Sequence, residues 1–290
     1  MNKKVAGMSA IILVLFILIG YYSVKYYVTN AADTKLQKLI SRFHDKIKVR
    51  YGQLDVRLFD VSLHIPAVSI FSNDRCYLNI DKVILSNIDL KNRRPHFLAV
   101  GMNGCSIDVN ERNFGNLYTF LWNLGYKKIN ADISFEYSYE PEHKKFILKN
   151  LVFESDIIGS MKLNLGIRPL IITSLLKREY SNLVIENLDL HYTDKSLLRK
   201  LTLLAIESDK TFMDFVIQGL EEDIESSFYD PEESNAQSLT ELVKFLSNPQ
   251  NFSMDLHLRH PISMYYIVSQ KKISKLLELF TYNFSAESHD

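Results

Sequence analysis

Cysteine, glycine and tryptophan are scarce in this 290-residue sequence, and its charges cancel. Two cysteines are too few for a disulfide-rich scaffold or for a structural zinc site built from cysteine and histidine. Ten glycines, none in a G-x-G-x-x-G or G-x-x-x-x-G-K pattern, argue against a loop that cradles phosphate. The 34 basic and 34 acidic residues leave no positive excess, so we expect no nucleic-acid partner.

A recognisable catalytic pattern is also missing. The eight histidines are scattered, and no two have the H-x-x-x-H spacing of a helical metal site. Two S-x-x-K matches, at Ser174 and Ser269, lack the companion S-D-N and K-T-G motifs of serine enzymes with that pattern. The sequence therefore predicts a non-catalytic protein without a cofactor or a metal. A hydrolase would need a cleft with convergent polar groups, which no motif indicates.

A long uncharged run lies at the N-terminus. Residues 5–24, VAGMSAIILVLFILIGYYSV, are bounded by Lys4 and Lys25. A helix of this length spans about 30 Å, the thickness of a bilayer's hydrocarbon core. A cleaved signal peptide has a shorter apolar region, and the first small-residue cleavage site here, near Ala31, comes late. We therefore predict a retained transmembrane helix over 5–24, preceded by a cytoplasmic stub over 1–4.

The residues around this run indicate its orientation. Lys3 and Lys4 precede it, and basic residues favour the cytoplasmic side of a membrane. Four tyrosines at the other end suit the opposite interface: Tyr21, Tyr22, Tyr26 and Tyr27. We expect a single-pass protein of the inner (plasma) membrane with its body in the periplasm, or in a lumen if the source is eukaryotic.

Residues 25–47 are predicted to form an amphipathic helical linker. Its apolar stripe has the 3.6-residue period of a helix and comprises Leu36, Leu39, Ile40, Phe43 and Ile47. The helix can pack on its own domain or lie on the membrane surface, and we favour the first interpretation.

From Lys48 onward the apolar residues alternate, which predicts strands. The predicted turns include residues 72–74 and Asn103-Gly104. The strands are predicted within 54–58, 61–65, 68–70, 77–80, 83–88, 97–102, 105–109, 133–139, 146–153, 161–167, 183–192 and 252–258. This pattern is typical of an antiparallel meander with one apolar face.

Helices are predicted between and after these strands. They are expected over 113–124, 169–177, 197–205, 211–220, 238–247 and 273–280. The segment 221–237 is acidic and is predicted to be a loop, and the tail from Ser285 is predicted to fray. Residues 48–290 thus read as one β-rich domain whose C-terminal part, 194–247, is helical.

The two cysteines occupy strand-like positions in the first group of strands. Cys76 and Cys105 can form a disulfide in an oxidising compartment, closing a loop of about 28 residues. They can equally be two unpaired thiols that pack as small apolar side chains.

Eight apolar residues on the strand faces are candidates for binding lipid. They are Leu54, Val56, Leu58, Leu63, Ile65, Ile133, Phe135 and Tyr137. An apolar face that stays open beside a membrane can hold acyl chains, whereas the same residues can also form a sealed core.

Two stretches carry a family resemblance. In residues 132–167, DISFEYSYEPEHKKFILKNLVFESDIIGSMKLNLGI, a strand ends in Y-S-Y-E-P and an I-G-S turn follows the next strand. Residues 187–262 contain Y-T-D, a leucine-rich helix and an N-P stop before a closing strand. Both resemble bacterial AsmA-like and YdgA-like envelope proteins. The resemblance implies an inner-membrane anchor, a periplasmic body and a role in envelope assembly or phospholipid traffic. It brings no catalytic residues.

The sequence therefore predicts an α+β protein in which a transmembrane helix precedes a curved antiparallel sheet with helices packed on or across it. We expect it to bind the membrane through its anchor and to handle phospholipid. The alternative is an envelope scaffold that binds a protein through a sheet edge or the acidic 221–237 loop.

Overall fold

The computed structural model describes residues 3–41, 47–72, 75–89, 91–92, 95–169, 183–208, 217–218, 220–221, 236–248, 251–269 and 278–287. Its helices are α1 (Lys3–Ser41), α2 (Glu111–Phe114), α3 (Leu117–Asn123), α4 (Leu197–Ser208), α5 (Ala236–Ser247) and α6 (Met264–Ser269). The first six strands are β1 (Lys48–Arg50), β2 (Asp55–Arg57), β3 (Ser62–Ser72), β4 (Arg75–Ser86), β5 (Phe97–Asp108) and β6 (Lys128–Glu140). The others are β7 (Lys145–Ser155), β8 (Gly159–Arg168), β9 (Val184–Asp194), β10 (Asn251–Leu258), β11 (Ile262–Ser263) and β12 (Phe280–Glu287).

All twelve strands belong to one antiparallel sheet with the order β1-β3-β4-β5-β6-β7-β8-β9-β10-β12. Two short strands lie off this path, because β2 pairs with β3 and β11 pairs with β9. From β3 to β9 each strand pairs with the next one in the sequence. The prediction of an α+β protein with a mostly antiparallel, β-dominated body is confirmed.

Several pairs of short predicted strands are single long strands in the structure. The expected turn at Asn103-Gly104 is wrong, because both residues lie inside β5 at a register shift in its pairing with β6. Gly104 has a φ of 63°, which glycine tolerates, and its amide donates to Asp132 Oδ1 at 2.6 Å. A β-bulge uses the same residues as a turn, so the strand continues where a turn was expected.

Helix α1 is one continuous helix through the predicted span and into the linker. The side chains described along it begin at Leu18. Leu36 packs on the cluster around Leu54, and Asp33 Oδ1 accepts a hydrogen bond from Tyr51 Oη at 2.8 Å. The described part of the linker therefore packs on its own domain. Within the described part of the chain, no helix is long and apolar enough to cross a membrane.

The predicted helix over 113–124 is two short helices. Asn110 caps α2 by accepting from the amide of Asn113 at 3.0 Å, and the chain then reaches Gly115 with a φ of 53°. This positive φ is one that glycine tolerates and that interrupts the helix, and α3 begins at Leu117.

The C-terminal region also differs from the prediction. Phe280 begins strand β12 instead of ending a helix, and Ser285 pairs with Ser253 instead of fraying. Phe280, Tyr282 and Phe284 alternate along the strand and face apolar residues of β10. These cross-strand contacts stabilise β12 although the tail contains polar residues. The helix predicted over 169–177 and most of those over 211–220 and 273–280 lie outside the described residues, as does nearly all of the 221–237 segment.

The buried side chains form three separate clusters along the sheet. The first lies at the β3–β5 end and contains Leu54, Ile65, Val68, Ile80 and Cys105. The second, under α3 and α4, contains Val109, Leu124, Tyr126 and Ile158, and the third, under α5, contains Phe245, Phe252 and Phe284. Among the described residues, no large side chain is completely shielded from solvent.

Candidate functional site

The strand registers align apolar residues into rows that cross the sheet. Side chains that face each other in an antiparallel pair lie on the same side of the sheet. One row, which we call the central row, crosses the nine strands from β3 to β10 and β12. It consists of Leu63, Leu85, Val100, Phe135, Leu151, Leu163, Leu190, Leu256 and Tyr282.

A second apolar row lies beside the central row on the same side. Its members are Ile65, Val83, Met102, Ile133, Phe153, Met161, Tyr192, Met254 and Phe284. A shorter third row flanks the central row on the other side: Leu98, Tyr137, Leu148, Leu165 and Leu188. We call these three rows together the apolar face.

The opposite side of the sheet is much more polar. The positions that alternate with the apolar rows include Ser134, Glu136, Lys162, His191 and Asp255. The sheet therefore has two chemically distinct sides, as a sheet with only one covered side must have.

The apolar face is only partly covered. Every member of the central row remains partly exposed. Leu85 packs against the first buried cluster and Leu256 against the third. Val100, Phe135, Leu151 and Leu163, in the middle of the row, belong to none of the three clusters that the described residues form. The middle of the central row thus presents apolar side chains that belong to none of the buried clusters of the described residues.

Helix α4 closes one end of the apolar face. Lys200 Nζ donates to the carbonyl of Leu124 at 2.8 Å and lies 4.2 Å from the centre of the Tyr126 ring. The Tyr126 hydroxyl hydrogen-bonds Ser196 Oγ at 2.7 Å. Burial raises the pKa of Tyr126, so the phenol stays neutral at this contact.

A buried carboxylate holds the start of α4. Asp194 accepts hydrogen bonds from the Tyr192 hydroxyl at 2.7 Å and from the amides of Leu198 and Arg199 at 2.8 and 3.2 Å. These two amides are among those that a helix start leaves without a partner. Burial and the hydrogen bond to Asp194 raise the pKa of Tyr192, which therefore remains a donor.

The structure divides the eight predicted lipid-binding residues into two groups. Leu63, Ile133, Phe135 and Tyr137 lie on the apolar face and are partly exposed. Burial raises the pKa of Tyr137, whose hydroxyl donates to the carbonyl of Pro95 at 3.1 Å.

The other four are Leu54, Val56, Leu58 and Ile65, of which Ile65 belongs to the second row of the apolar face but is buried. Leu54, Val56 and Ile65 are buried, so a bound chain could not reach them without displacing their neighbours. Leu58 lies in the turn between β2 and β3 and is partly exposed.

Sequence reasoning missed the members of the apolar face contributed by later strands, above all Leu163, Leu190 and Leu256. Alternation within each strand was the available signal, but only the register shows that these residues continue one row.

A cleft of about 790 Å³ separates α1 from β1 and the segment that follows it. Polar residues line much of it, including Asn30, Asp33, Gln37, Arg50 and Gln53. Burial and the hydrogen bond to Asp33 raise the pKa of Tyr51 at its edge.

The polar side carries two cross-strand histidine–aspartate pairs between β9 and β10. His257 Nδ1 lies 2.9 Å from Asp189 Oδ1, and His191 pairs with Asp255. All four side chains are substantially exposed. In the parts of the chain that are described, no group of three or more histidine, cysteine or acidic side chains could hold a metal ion.

Both cysteines are free thiols, so the structure has the unpaired alternative. Cys76 is exposed and its Sγ lies 3.2 Å from Asn79 Oδ1, whereas Cys105 is buried in the first cluster. Burial raises the pKa of Cys105, which keeps it a thiol at neutral pH.

No protein-family model and no curated protein matches this chain. The resemblance to AsmA-like and YdgA-like proteins therefore remains a prediction.

Proposed function

We propose that this protein is a membrane-anchored, non-catalytic component of the cell envelope that holds lipid acyl chains on its apolar face. The observation that carries the proposal is the central row, which stays partly exposed along its whole length. Soluble surfaces rarely expose continuous apolar patches, and those that do commonly bind a partner or a lipid. Each acyl methylene that leaves water contributes about 0.8 kcal/mol.

The dimensions of the face suit an extended chain. With strands about 4.8 Å apart, eight intervals across nine strands make a row of about 38 Å. Neighbouring rows are two residues apart along each strand, or about 7 Å, which leaves a shallow apolar channel between them. An acyl chain could lie along the central row without meeting a charged side chain.

The anchor is part of the same proposal. Residues 5–24 are uncharged and continue into the part of α1 that packs on the sheet. A helix that crosses the inner membrane there would hold the sheet beside a bilayer on the periplasmic side. A protein held beside a bilayer meets lipid at high local concentration, so modest affinity for acyl chains suffices.

The experiment is photocrosslinking of the full chain in vesicles of phosphatidylethanolamine and phosphatidylglycerol. A small fraction of the lipid carries a diazirine on its acyl chain, and peptide mass spectrometry maps the crosslinks after irradiation. We expect crosslinks to β5–β8 as well as to α1. Phe135→Asp should abolish the β5–β8 crosslinks, because it places a charge in the middle of the central row.

The matched control is Ser134→Asp. Ser134 is the adjacent residue, it is exposed, and it points to the polar side of the sheet. This control should crosslink as the unmodified protein does. Leu163→Trp adds bulk to the same row without a charge, and it should also reduce crosslinking if Phe135→Asp fails to fold. Crosslinks confined to α1 in the unmodified protein would refute lipid binding on the face.

One observation favours the scaffold as the second candidate function. Strand β12 ends the sheet and pairs only with β10 among the described strands, so its outer edge can accept a strand from a partner protein. An envelope protein captured by crosslinking at Tyr282 or Asn283, with no lipid on the apolar face, would favour the scaffold.

A further inference from the structure

We infer that the turn between β2 and β3, residues 58–61, inserts into the periplasmic interface of the inner membrane beside α1. The lipid bilayer is then the partner of this turn. This inference rests on the proposed anchor and specifies which part of the body touches lipid. We call residues 58–61 the β2–β3 turn.

The β2–β3 turn presents two apolar side chains to solvent. Phe59 is 91% exposed and Val61 is 62% exposed, so Phe59 is the most exposed large hydrophobic residue that the structure describes. Val61 has a φ of 47°, a conformation that β-branched residues seldom adopt. A turn that only connected two strands would favour glycine or asparagine at such a position.

Helix α1 fixes the depth of this turn relative to the uncharged run. The Phe59 ring stacks on the Tyr21 ring with the ring centres 5.5 Å apart. Tyr21 is three residues before the end of the run at Val24, or about 4.5 Å along a helix axis. If residues 5–24 span the hydrocarbon core, Phe59 therefore lies at the level where aromatic side chains settle.

Asp60 places one exposed charge in the turn itself, where it accepts a hydrogen bond from Ser62 Oγ at 2.8 Å, and the next charges lie one helical turn beyond Tyr21. Lys25 Nζ contacts Asp55 Oδ1 at 2.7 Å, which joins α1 to β2 just beyond the run. The hydrogen bond from Lys25 and its charge lower the pKa of Asp55. Apolar side chains at Phe59 and Val61 followed by an ion pair at Lys25 and Asp55 match the change from acyl chains to headgroups.

Insertion of the β2–β3 turn would bring the start of the central row close to the membrane. Leu63, the first member of the central row, is only two residues beyond Val61 along the chain. The row would begin beside the membrane surface, and the far end of β3 would project about 35 Å from it. An acyl chain leaving the bilayer could meet the row without crossing water.

The test uses the fact that the chain has one tryptophan. Trp122 is 45% exposed on α3, which follows the far end of β5, so the unmodified protein reports on the region away from the membrane. The double variant Trp122→Phe/Phe59→Trp moves the only indole to the β2–β3 turn. Both proteins are reconstituted as full chains into phosphatidylcholine vesicles whose acyl chains carry bromine near the glycerol end.

We expect the brominated lipid to quench most of the Phe59→Trp emission and to leave the Trp122 emission nearly unchanged. The emission of the relocated indole should also shift to the blue. Bromine in both leaflets makes the result independent of the direction of insertion, and Trp122→Phe alone supplies the blank. Both reporters are indoles, so a general affinity of indole for interfaces does not explain a difference between them.

Flotation of the vesicles after a high-salt wash distinguishes failure of the proposed anchor from failure of the proposed insertion of the β2–β3 turn. If the protein floats and the relocated indole is quenched by aqueous iodide instead of brominated lipid, the inference fails while the anchor stands. An indole shielded from both quenchers would indicate a protein contact and would also overturn it. If the protein does not float, the anchor fails and the inference fails with it.

Discussion

The carboxylate of Asp194 should contribute a large part of the stability of the end of the sheet that α4 closes. Asp194→Ala removes the acceptor for the amides of Leu198 and Arg199, and losing such a helix cap costs about 1–2 kcal/mol. It also leaves the buried hydroxyl of Tyr192 without its partner at 2.7 Å, which costs about 1–3 kcal/mol. We therefore expect the free energy of unfolding to fall by about 2–5 kcal/mol.

Urea unfolding of the full chain in detergent micelles measures this free energy. The fluorescence of Trp122 reports it directly, because its helix α3 leads into Leu124, whose carbonyl binds Lys200 of α4. Tyr192→Phe removes the hydroxyl without removing the ring. In that background Asp194→Ala should cost about 1–2 kcal/mol, since only the helix cap is then lost.

Asp189→Ala is the matched control on the same strand. Asp189 is about half exposed and pairs only with an exposed histidine, so its loss should cost less than about 0.5 kcal/mol. If Asp194→Ala costs no more than Asp189→Ala, Asp194 does not hold α4 as argued.

Three further predictions follow from single residues. Gly159→Ala should lower the free energy of unfolding by about 2–4 kcal/mol, because a Cβ would lie 2.4 Å from the carbonyl oxygen of Thr193 at a φ of 146°. Gly115→Ala, also at positive φ but with no atom within 4 Å, should cost clearly less, and equal costs would refute the steric argument. The amide of His96, the side chain of Asn92 and neighbouring amides hydrogen-bond Asp89 and lower its pKa from 3.8 to about 2. The contribution of the Asp89 carboxylate to the free energy of unfolding is therefore complete above its unfolded pKa and is lost as the pH falls toward 2. The unfolding midpoints of the unmodified protein and of Asp89→Asn should therefore converge on acidification. Maleimide should label Cys76 in the folded protein and Cys105 only after unfolding, because Cys76 is exposed and Cys105 is buried with a raised pKa. Equal labelling rates in the folded protein would contradict this assignment.

Alternation within single strands was sufficient to predict much of the sheet. Residues 133–139 and 161–167 alternate cleanly, and the structure has strands β6 and β8 there. The alternation of apolar and polar residues did not predict a strand correctly where pairing with a neighbouring strand determines the secondary structure. The tail from Ser285 was predicted to fray because it is polar, yet Ser285 lies on the side of the sheet where β10 places Ser253 and pairs with it.

The apolar face shows why the candidate site was harder to predict than the fold. Leu148 and Leu151 of β7 both lie on the face, although a strict two-residue period would put them on opposite sides. The register shift between them adds one residue, Asn150, which has a φ of 50° and donates its amide to Asn164 Oδ1 at 2.8 Å. Asparagine tolerates this conformation better than other residues with side chains, so Asn150 was the available signal for a bulge.

Bulges of this kind are what keep the face continuous. If β7 passed through Asn150 in regular alternation instead of a bulge, Leu148 would turn to the polar side, and the third apolar row would break between Tyr137 and Leu165. Deleting Asn150 would place Leu148 and Leu151 two residues apart, so we expect the deletion to remove the bulge and to keep lipid contact at both residues. Loss of lipid contact at Leu148 alone would contradict this register. The bulge at Asn150 thus keeps the apolar rows continuous across β7, and the bulge at Gly104 keeps Cys105 on the same side of the sheet as Met102.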